Sequence, residues 1–265
     1  MTKTKQKGLR ALKFIFLLLL AILFLVPILL VFMNSFKSKF YIIRSPFAHP
    51  NSEPFAGIEN YMKGLSSSGL FAAFGRSVFI TVFSVLLIVV CTAMTAWFIV
   101  RVKGKFTKLL YYLFVFSMIV PFQMVMFTMT YIVNAISFNN PVGIVFVYLG
   151  FGAGLSVFML TGFIKSVPLE IEEAATIDGC NPLQTFFLVV FPILKPTAIT
   201  VAILNAMWIW NDYLLPYLIL GTGQKTVPVA IQIAMQGAYG SVDWGGFMAM
   251  LVLAIIPIIV FYLAC

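Results

Sequence analysis

The sequence predicts an all-α integral membrane protein with six transmembrane helices, and three observations carry that prediction. Hydrophobic residues make up 62% of the chain, charged residues only 9%, and the mean hydropathy is +1.06. Soluble domains carry about a quarter charged residues, so a water-facing surface cannot be covered from this supply. Second, apolar runs of about 20 residues recur, the length that crosses a hydrocarbon layer of roughly 30 Å at 1.5 Å per helical residue. Third, the basic residues gather in clusters between those runs. The net charge of +9 therefore reads as a topology signal rather than a nucleic-acid footprint.

Helices are the expected spanning element because every backbone group in hydrocarbon must find its partner within the segment. The first predicted span covers 14–33, behind Lys3, Lys5, Lys7, Arg10 and Lys13. That basic start also resembles a signal peptide, but its apolar stretch exceeds the usual h-region of about 7–15 residues. No small-x-small cleavage site follows Val26-Pro27, so the segment reads as an uncleaved span. Further spans are predicted at 78–100, 109–134, 142–164, 197–220 and 247–265 in a single transmembrane domain of 265 residues. Pro121 and Pro216 are expected to bend their helices. Gly150 and Gly154 form a small-xxx-small pair suited to helix packing.

Positive charge sets the orientation. The basic start of the chain and the short loop with Arg101, Lys103, Lys105 and Lys108 belong in the cytoplasm. Lys37, Lys39, Arg44, Lys63 and Arg76 are spread over about forty residues, where the charge rule weakens, and that segment is assigned outside. Alternation puts the Asn139-Asn140 turn and the 221–246 loop outside, the 165–196 connection inside, and both termini in the cytoplasm. Cys91, Cys180 and Cys265 are scattered and odd in number, which offers neither a disulfide framework nor metal spacing. His49 stands alone among Pro46, Pro50 and Pro54 and reads as a solvated loop histidine, so no metal site is expected.

The 165–196 connection is the least membrane-like part of the second half, and Glu170, Glu172, Glu173 and Asp178 are four of the chain's eight acidic residues. Pro168 suits a first helical turn, the glutamates complement its positive N-terminal dipole, and Gly179 can adopt the left-handed conformation that ends it. Asn181-Pro182 then reads as the cap and first turn of a second helix. On the first helix Ile171, Ala174, Ala175 and Asp178 fall on one face, a narrow ridge flanked by acid and suited to a basic cleft. A helix resting on the bilayer would carry Lys or Arg on its polar face, which three glutamates contradict.

Glu173-Ala174-Ala175, three residues, Gly179, nine residues and Val189-Val190-Phe191-Pro192 resemble the EAA loop of permeases of ATP-binding-cassette (ABC) importers, with Val for Ile and Phe for Leu. Asn34-Ser35-Phe36-Lys37, Gly57-Ile58-Glu59-Asn60-Tyr61 and Trp210-Asn211-Asp212-Tyr213 are similar to the carbohydrate-uptake, maltose-transporter-type branch. The resemblance implies a permease that moves a sugar or oligosaccharide into the cytoplasm by alternating access. The resemblance further implies pairing with a second permease, two ABC ATPase subunits and an extracytoplasmic sugar-binding protein in a bacterial cytoplasmic membrane. It also implies ATPase coupling through Glu172, Glu173, Ala174, Ala175, Asp178, Gly179 and Pro192. Family members continue into a short basic tail, whereas this chain stops at Cys265, so no tail contact is carried over.

The resemblance also implies ATP and Mg on the partner subunits, a division that agrees with the lack of a Gly-x-x-x-x-Gly-Lys-Ser/Thr in this chain. Gly221-Thr-Gly-Gln-Lys225-Thr226 has Gln224 where that loop needs glycine. Polar residues at membrane depth make Gln123, Asn205, Asn211 and Asp212 candidates for the translocation pathway. Trp208, Trp210 and Tyr213 suit either stacking on sugar faces or interfacial anchoring, and Asp212 either the pathway or the outer surface. An importer for a non-sugar solute shares the EAA loop and stays open as an alternative. A self-contained secondary transporter would need buried ion relays, and the spans hold almost no charge besides Asp212. No HExxH or GxSxG pattern supports a membrane hydrolase.

Overall fold

Apolar runs of this length satisfy their backbone polar groups by coiling, and the computed structural model is mainly helical over the described residues, 3–50, 55–67, 69–236 and 242–264. Helices α1 (Lys3–Asn34), α2 (Lys39–Arg44), α3 (Glu59–Ser67) and α4 (Leu70–Arg101) are followed by α5 (Lys105–Ile119), α6 (Phe122–Ala135) and α7 (Pro141–Ile164). The second half contains α8 (Glu170–Ile177), α9 (Pro182–Gln184), a π-helical segment (Thr185–Val190) and α10 (Phe191–Asn211). It ends with α11 (Leu214–Leu220), α12 (Val227–Gln236) and α13 (Trp244–Ala264). Five segments are long and apolar enough to cross a membrane, and α5 with α6 makes a sixth only as a pair bent by 107°.

The straight span predicted at 109–134 is therefore two helices. Val120 is extended at φ −76°, ψ 113°, because the proline ring that follows excludes the helical region, and Pro121 has no N–H to continue the ladder. The span predicted at 197–220 begins earlier, since helical backbone runs unbroken from Pro182 to Asn211 and then breaks at Asp212 before α11. Pro216 lies inside the first turn of α11 rather than at a bend. The predicted outer loop 221–246 contains α12, and its residues 237–241, like Cys265 at the end of the predicted sixth span, lie outside the described residues.

The chain divides into two compact units, Met1–Phe71 with Ala230–Ile259 and Ala72–Val229 with Val260–Cys265. In the first, the end of α1 is stitched to α3. Asn60 donates from Nδ2 to the carbonyls of Ser35 and Lys37, both at 2.8 Å, and Ser35 Oγ lies 2.7 Å from Tyr61 Oη. Lys37 is buried and donates from Nζ to the carbonyls of Ser45 and Pro46, past the last residue of α2, and burial holds its pKa below the ordinary lysine value. The Asn34–Lys37 and Gly57–Tyr61 segments, separate in sequence, thus form one hydrogen-bonded junction.

In the second unit α7 is the central helix, packed against α5 and α10. Asn140 caps it by accepting from the amides of Val142 and Gly143, with Pro141 in the first turn. Its contacts with other helices are close at two of its glycines. A Cβ on Gly152 would sit 2.6 Å from Asn205 Oδ1 and Ile88 Cδ1, and one on Gly154 2.6 Å from Ser117 Oγ. Gly150, the other half of the pair expected from spacing, faces open space. The tight positions are two residues apart because α7 is enclosed by neighbours on several sides rather than along one seam.

Gly152→Ala should destabilise the unit by about 1–3 kcal/mol through overpacking, whereas Gly150→Ala should leave the midpoint of thermal unfolding in detergent unchanged. Equal midpoints for both variants would contradict this packing.

Candidate functional site

The conspicuous polar cluster of the second unit lies where α4 ends and α8 begins. Glu172, second of the three glutamates in the first turn of α8, is only 6% exposed. Its Oε1 accepts from Arg101 Nε at 2.9 Å and Nη2 at 2.7 Å, and its Oε2 accepts from Trp97 Nε1 at 2.8 Å. Arg101 Nη2 also donates to the Val167 carbonyl at 3.0 Å, in the turn that leads into α8. Both carboxylate oxygens are satisfied, which is what keeps a charge tolerable at this burial. The loop after α4 and the 165–196 connection therefore lie at the same face of the protein.

Turning Glu172 inward decides what the rest of α8 presents. Ala175, one turn on, is also buried, while Ile171, Glu173, Ala174 and Asp178 face outward. The ridge predicted from Ile171, Ala174, Ala175 and Asp178 thus loses Ala175 to the packed side and gains Glu173 and Ile177, which is 86% exposed. A groove of about 460 Å³ runs beside α8, lined by Trp97, Glu173, Thr176, Ile177 and Cys180 among others.

Asp178 is the C-cap, Gly179 follows at φ +87°, its amide donates to the Thr176 carbonyl, and the Cys180 amide donates to the Ala175 carbonyl. These two bonds are the Schellman closure that a left-handed glycine permits. Asn181 and Gln184 form a reciprocal capping box at the start of α9. The backbone then widens into the π segment, where the Phe191 amide reaches back five residues to the Phe186 carbonyl. Pro192 explains the widening: it has no N–H for the Leu188 carbonyl, and its ring crowds that carbonyl in a regular α-helix. The π segment packs against α8, with Phe186 fully buried 5.6 Å from Trp97.

The polar residues expected along a pathway separate into two groups. Asn205 is buried and donates to Ser156 Oγ at 3.1 Å and to the Val201 carbonyl at 2.9 Å, joining α10 to α7. Asp212 accepts from Tyr148 Oη at 3.0 Å and from the amides of Leu214 and Leu215, so it organises the break between α10 and α11. Trp208 is 41% exposed and packs edge-on against Tyr148, and Asn211 is exposed. Gln123 is exposed beside the bend at Pro121, and Tyr213 stacks on Tyr217 at 5.3 Å. Trp210 is buried against Phe74. The structure does not bring Gln123 to a described contact with the α10 set.

Sequence reasoning missed Arg101, Trp97 and Tyr148 as site residues. As a loop charge Arg101 signals topology only; the further signal is an arginine at a span end on the same side as an acidic helix. Tyr148 lies in an apolar run without local polar neighbours, so its pairing with Asp212, 64 residues on, has no local trace.

A chain with five or six membrane-crossing helical segments, and with an acidic helix, a glycine turn and a second helix at one face, has the architecture of a multi-pass membrane protein. Residues 88–264 match the family described as binding-protein-dependent transport system inner membrane component, and the chain belongs to that family. It is 37% identical over 246 residues to a probable starch degradation products transport system permease protein, AmyC, of Thermoanaerobacterium thermosulfurigenes, covering 92% of this chain and 88% of that one. It is 35% identical over 256 residues to the multiple sugar-binding transport system permease protein MsmG of Streptococcus mutans, covering 95% and 90%. Its fold matches, with a TM-score of 0.82 over the whole chain and 97% of the other, a crystallised bacterial ABC transporter involved in import of the acidic polysaccharide alginate, at 19% identity.

Gly179→Val should cost about 1–2 kcal/mol from the left-handed conformation alone, since a Cβ there meets nothing within 4 Å. Protease sensitivity of the 178–182 segment should rise while the spans stay folded; unaltered sensitivity would count against the turn. Glu172→Ala should cost about 3–5 kcal/mol by leaving the Arg101 charge without its partner, and Glu172→Ala with Arg101→Met should recover much of that loss. A double variant no better than the single one in thermal unfolding would exclude the pair as the cause.

Proposed function

We propose that this subunit imports a sugar or oligosaccharide, driven by separate ABC ATPases that act through α8. The observation that carries this reading is the arrangement of α8: Glu172 anchors it to α4, so Glu173, Ala174 and Asp178 are held outward ahead of the Gly179 turn. A rigidly held acidic helix suits a basic cleft on an ATPase. Glu172 then acts as the positioning residue and Glu173 as the docking charge.

The coupling set of Glu172, Glu173, Ala174, Ala175, Asp178, Gly179 and Pro192 works as one element in this reading. Pro192 and the π segment connect α8 to α10, so displacement of α8 by closing ATPases would tilt α10 as a rigid body and switch access between the two sides. ATP and Mg belong to the ATPase subunits. Further partners are a second homologous permease and an extracytoplasmic sugar-binding protein. The positive-inside rule favours α8 and both termini on the cytoplasmic side.

Sugar as cargo is supported by the names of relatives that match over most of their length, among them permeases for starch degradation products and for multiple sugars. Gln123, Trp208, Asn211 and Tyr213 are the residues offered to the pathway, while Asn205 and Asp212 shape it through their own intrachain bonds.

Affinity purification in mild detergent should recover an ABC ATPase and a second permease with the wild-type chain. Glu173→Lys should lose the ATPase at least tenfold, about the 1.4 kcal/mol expected of a docking charge pair, while retaining the second permease. Recovery of the chain alone would overturn the importer reading. An intact complex that imports labelled amino acid but no oligosaccharide into proteoliposomes would keep the importer and replace the cargo.

A further inference from the structure

A second cleft opens at the same face as α8, about 740 Å³ in volume, between the end of α4, the start of α5 and the end of α7. Four lysines line it, Lys103, Lys105, Lys108 and Lys165, and no lining residue is acidic. All four are exposed, so like charges converge on a cavity without a counter-charge of its own. Lys165 rests with Nζ 5.5 Å from the centre of the Tyr111 ring, a contact that supplies no counter-charge. The floor is the N-terminus of α5, a helix of 15 residues whose cap is Gly104 and which has no side-chain cap.

Thr161 supplies the independent sign of a ligand. It lines the cleft, is only 1% exposed, and its Oγ1 has no hydrogen-bond partner. Several threonines elsewhere in these helices, Thr92, Thr95, Thr130 and Thr176 among them, return the hydroxyl to the carbonyl four residues back. Thr161 does not. A buried hydroxyl without a partner, beside four uncompensated cations and an uncapped helix start, matches an oxyanion with several acceptor oxygens.

We propose that this cleft binds the phosphate of an anionic phospholipid headgroup. The mouth favours a lipid over a free anion: Tyr112 is 65% exposed beside it, and Phe106 and Leu109 present apolar surface along the same helix for acyl chains. Amphipathic rings at the headgroup level and basic pockets between spanning helices are the features that hold such headgroups. The proposal requires α4, α5 and α7 to meet a membrane surface and does not depend on the cargo.

The test is native mass spectrometry of the full chain purified with its partner subunits, titrated with phosphatidylglycerol, phosphatidylcholine or inorganic phosphate. Phosphatidylglycerol should be retained and phosphatidylcholine not. Each of Lys105→Gln and Lys165→Gln should weaken retention about fivefold, the effect of one lysine at an anionic surface, and Thr161→Val should weaken it without a change in subunit composition. Lys195→Gln, an exposed lysine elsewhere on the same unit, should change nothing. Phosphate that binds alone with the same lysine dependence and displaces the lipid would assign the site to free phosphate. Retention unchanged in all three cleft variants, or equal for both lipids, would overturn the site.

Discussion

Glu172 is an anion removed from water at the edge of a membrane, and the arrangement of the neighbouring helices follows from how it is satisfied. Three N–H donors from two residues of α4 converge on its two oxygens, and Arg101 donates in addition to the Val167 carbonyl. Desolvating such a pair offsets much of its attraction, so its contribution is directional rather than a large gain in stability. The direction matters because α8 has only eight residues, too few to hold an orientation by burial alone. With Glu172 fixed inward, the outward residues of α8 are determined by helical geometry.

From that anchor a continuous run of backbone leads across the membrane. The Schellman turn at Gly179, the capping box at Asn181 and the π segment join α8 to α10 without an intervening flexible loop. At its far end α10 stops at Asp212, whose carboxylate is shared between Tyr148 of α7 and the first amides of α11. Between these ends, Asn205 and Ser156 bond across the contact that Gly152 allows. Three fixed points along one helix favour rigid-body displacement over bending.

The segments assigned outside follow a different logic. Asn60 satisfies two buried carbonyls in a stretch between α1 and α3 that has no ladder of its own, and the buried Lys37 does the same beyond α2. Polar side chains there replace backbone pairing, the general requirement for irregular buried chain. Asn60 and Lys37 are therefore structural, although by type alone they could be read as binding groups.

Sequence alone determined the class of the protein, because hydrocarbon thickness fixes the length of an apolar helix and charge asymmetry fixes which loops share a side. It also determined the α8 turn, since only local rules govern a helix that starts on acids and ends on glycine. Tertiary structure decided what spacing leaves ambiguous. The same pattern that placed Ala175 on the outward ridge is compatible with either face of α8, and Arg101, 71 residues from Glu172, selected the face. Likewise Gly150 and Gly154 have a packing spacing, but the close contacts in the fold fall at Gly152 and Gly154, and the partner of Asp212 is Tyr148, far from it in sequence. Local sequence encodes period, caps and breaks; the partner of a buried polar group is set by contacts between distant segments, which no local window contains.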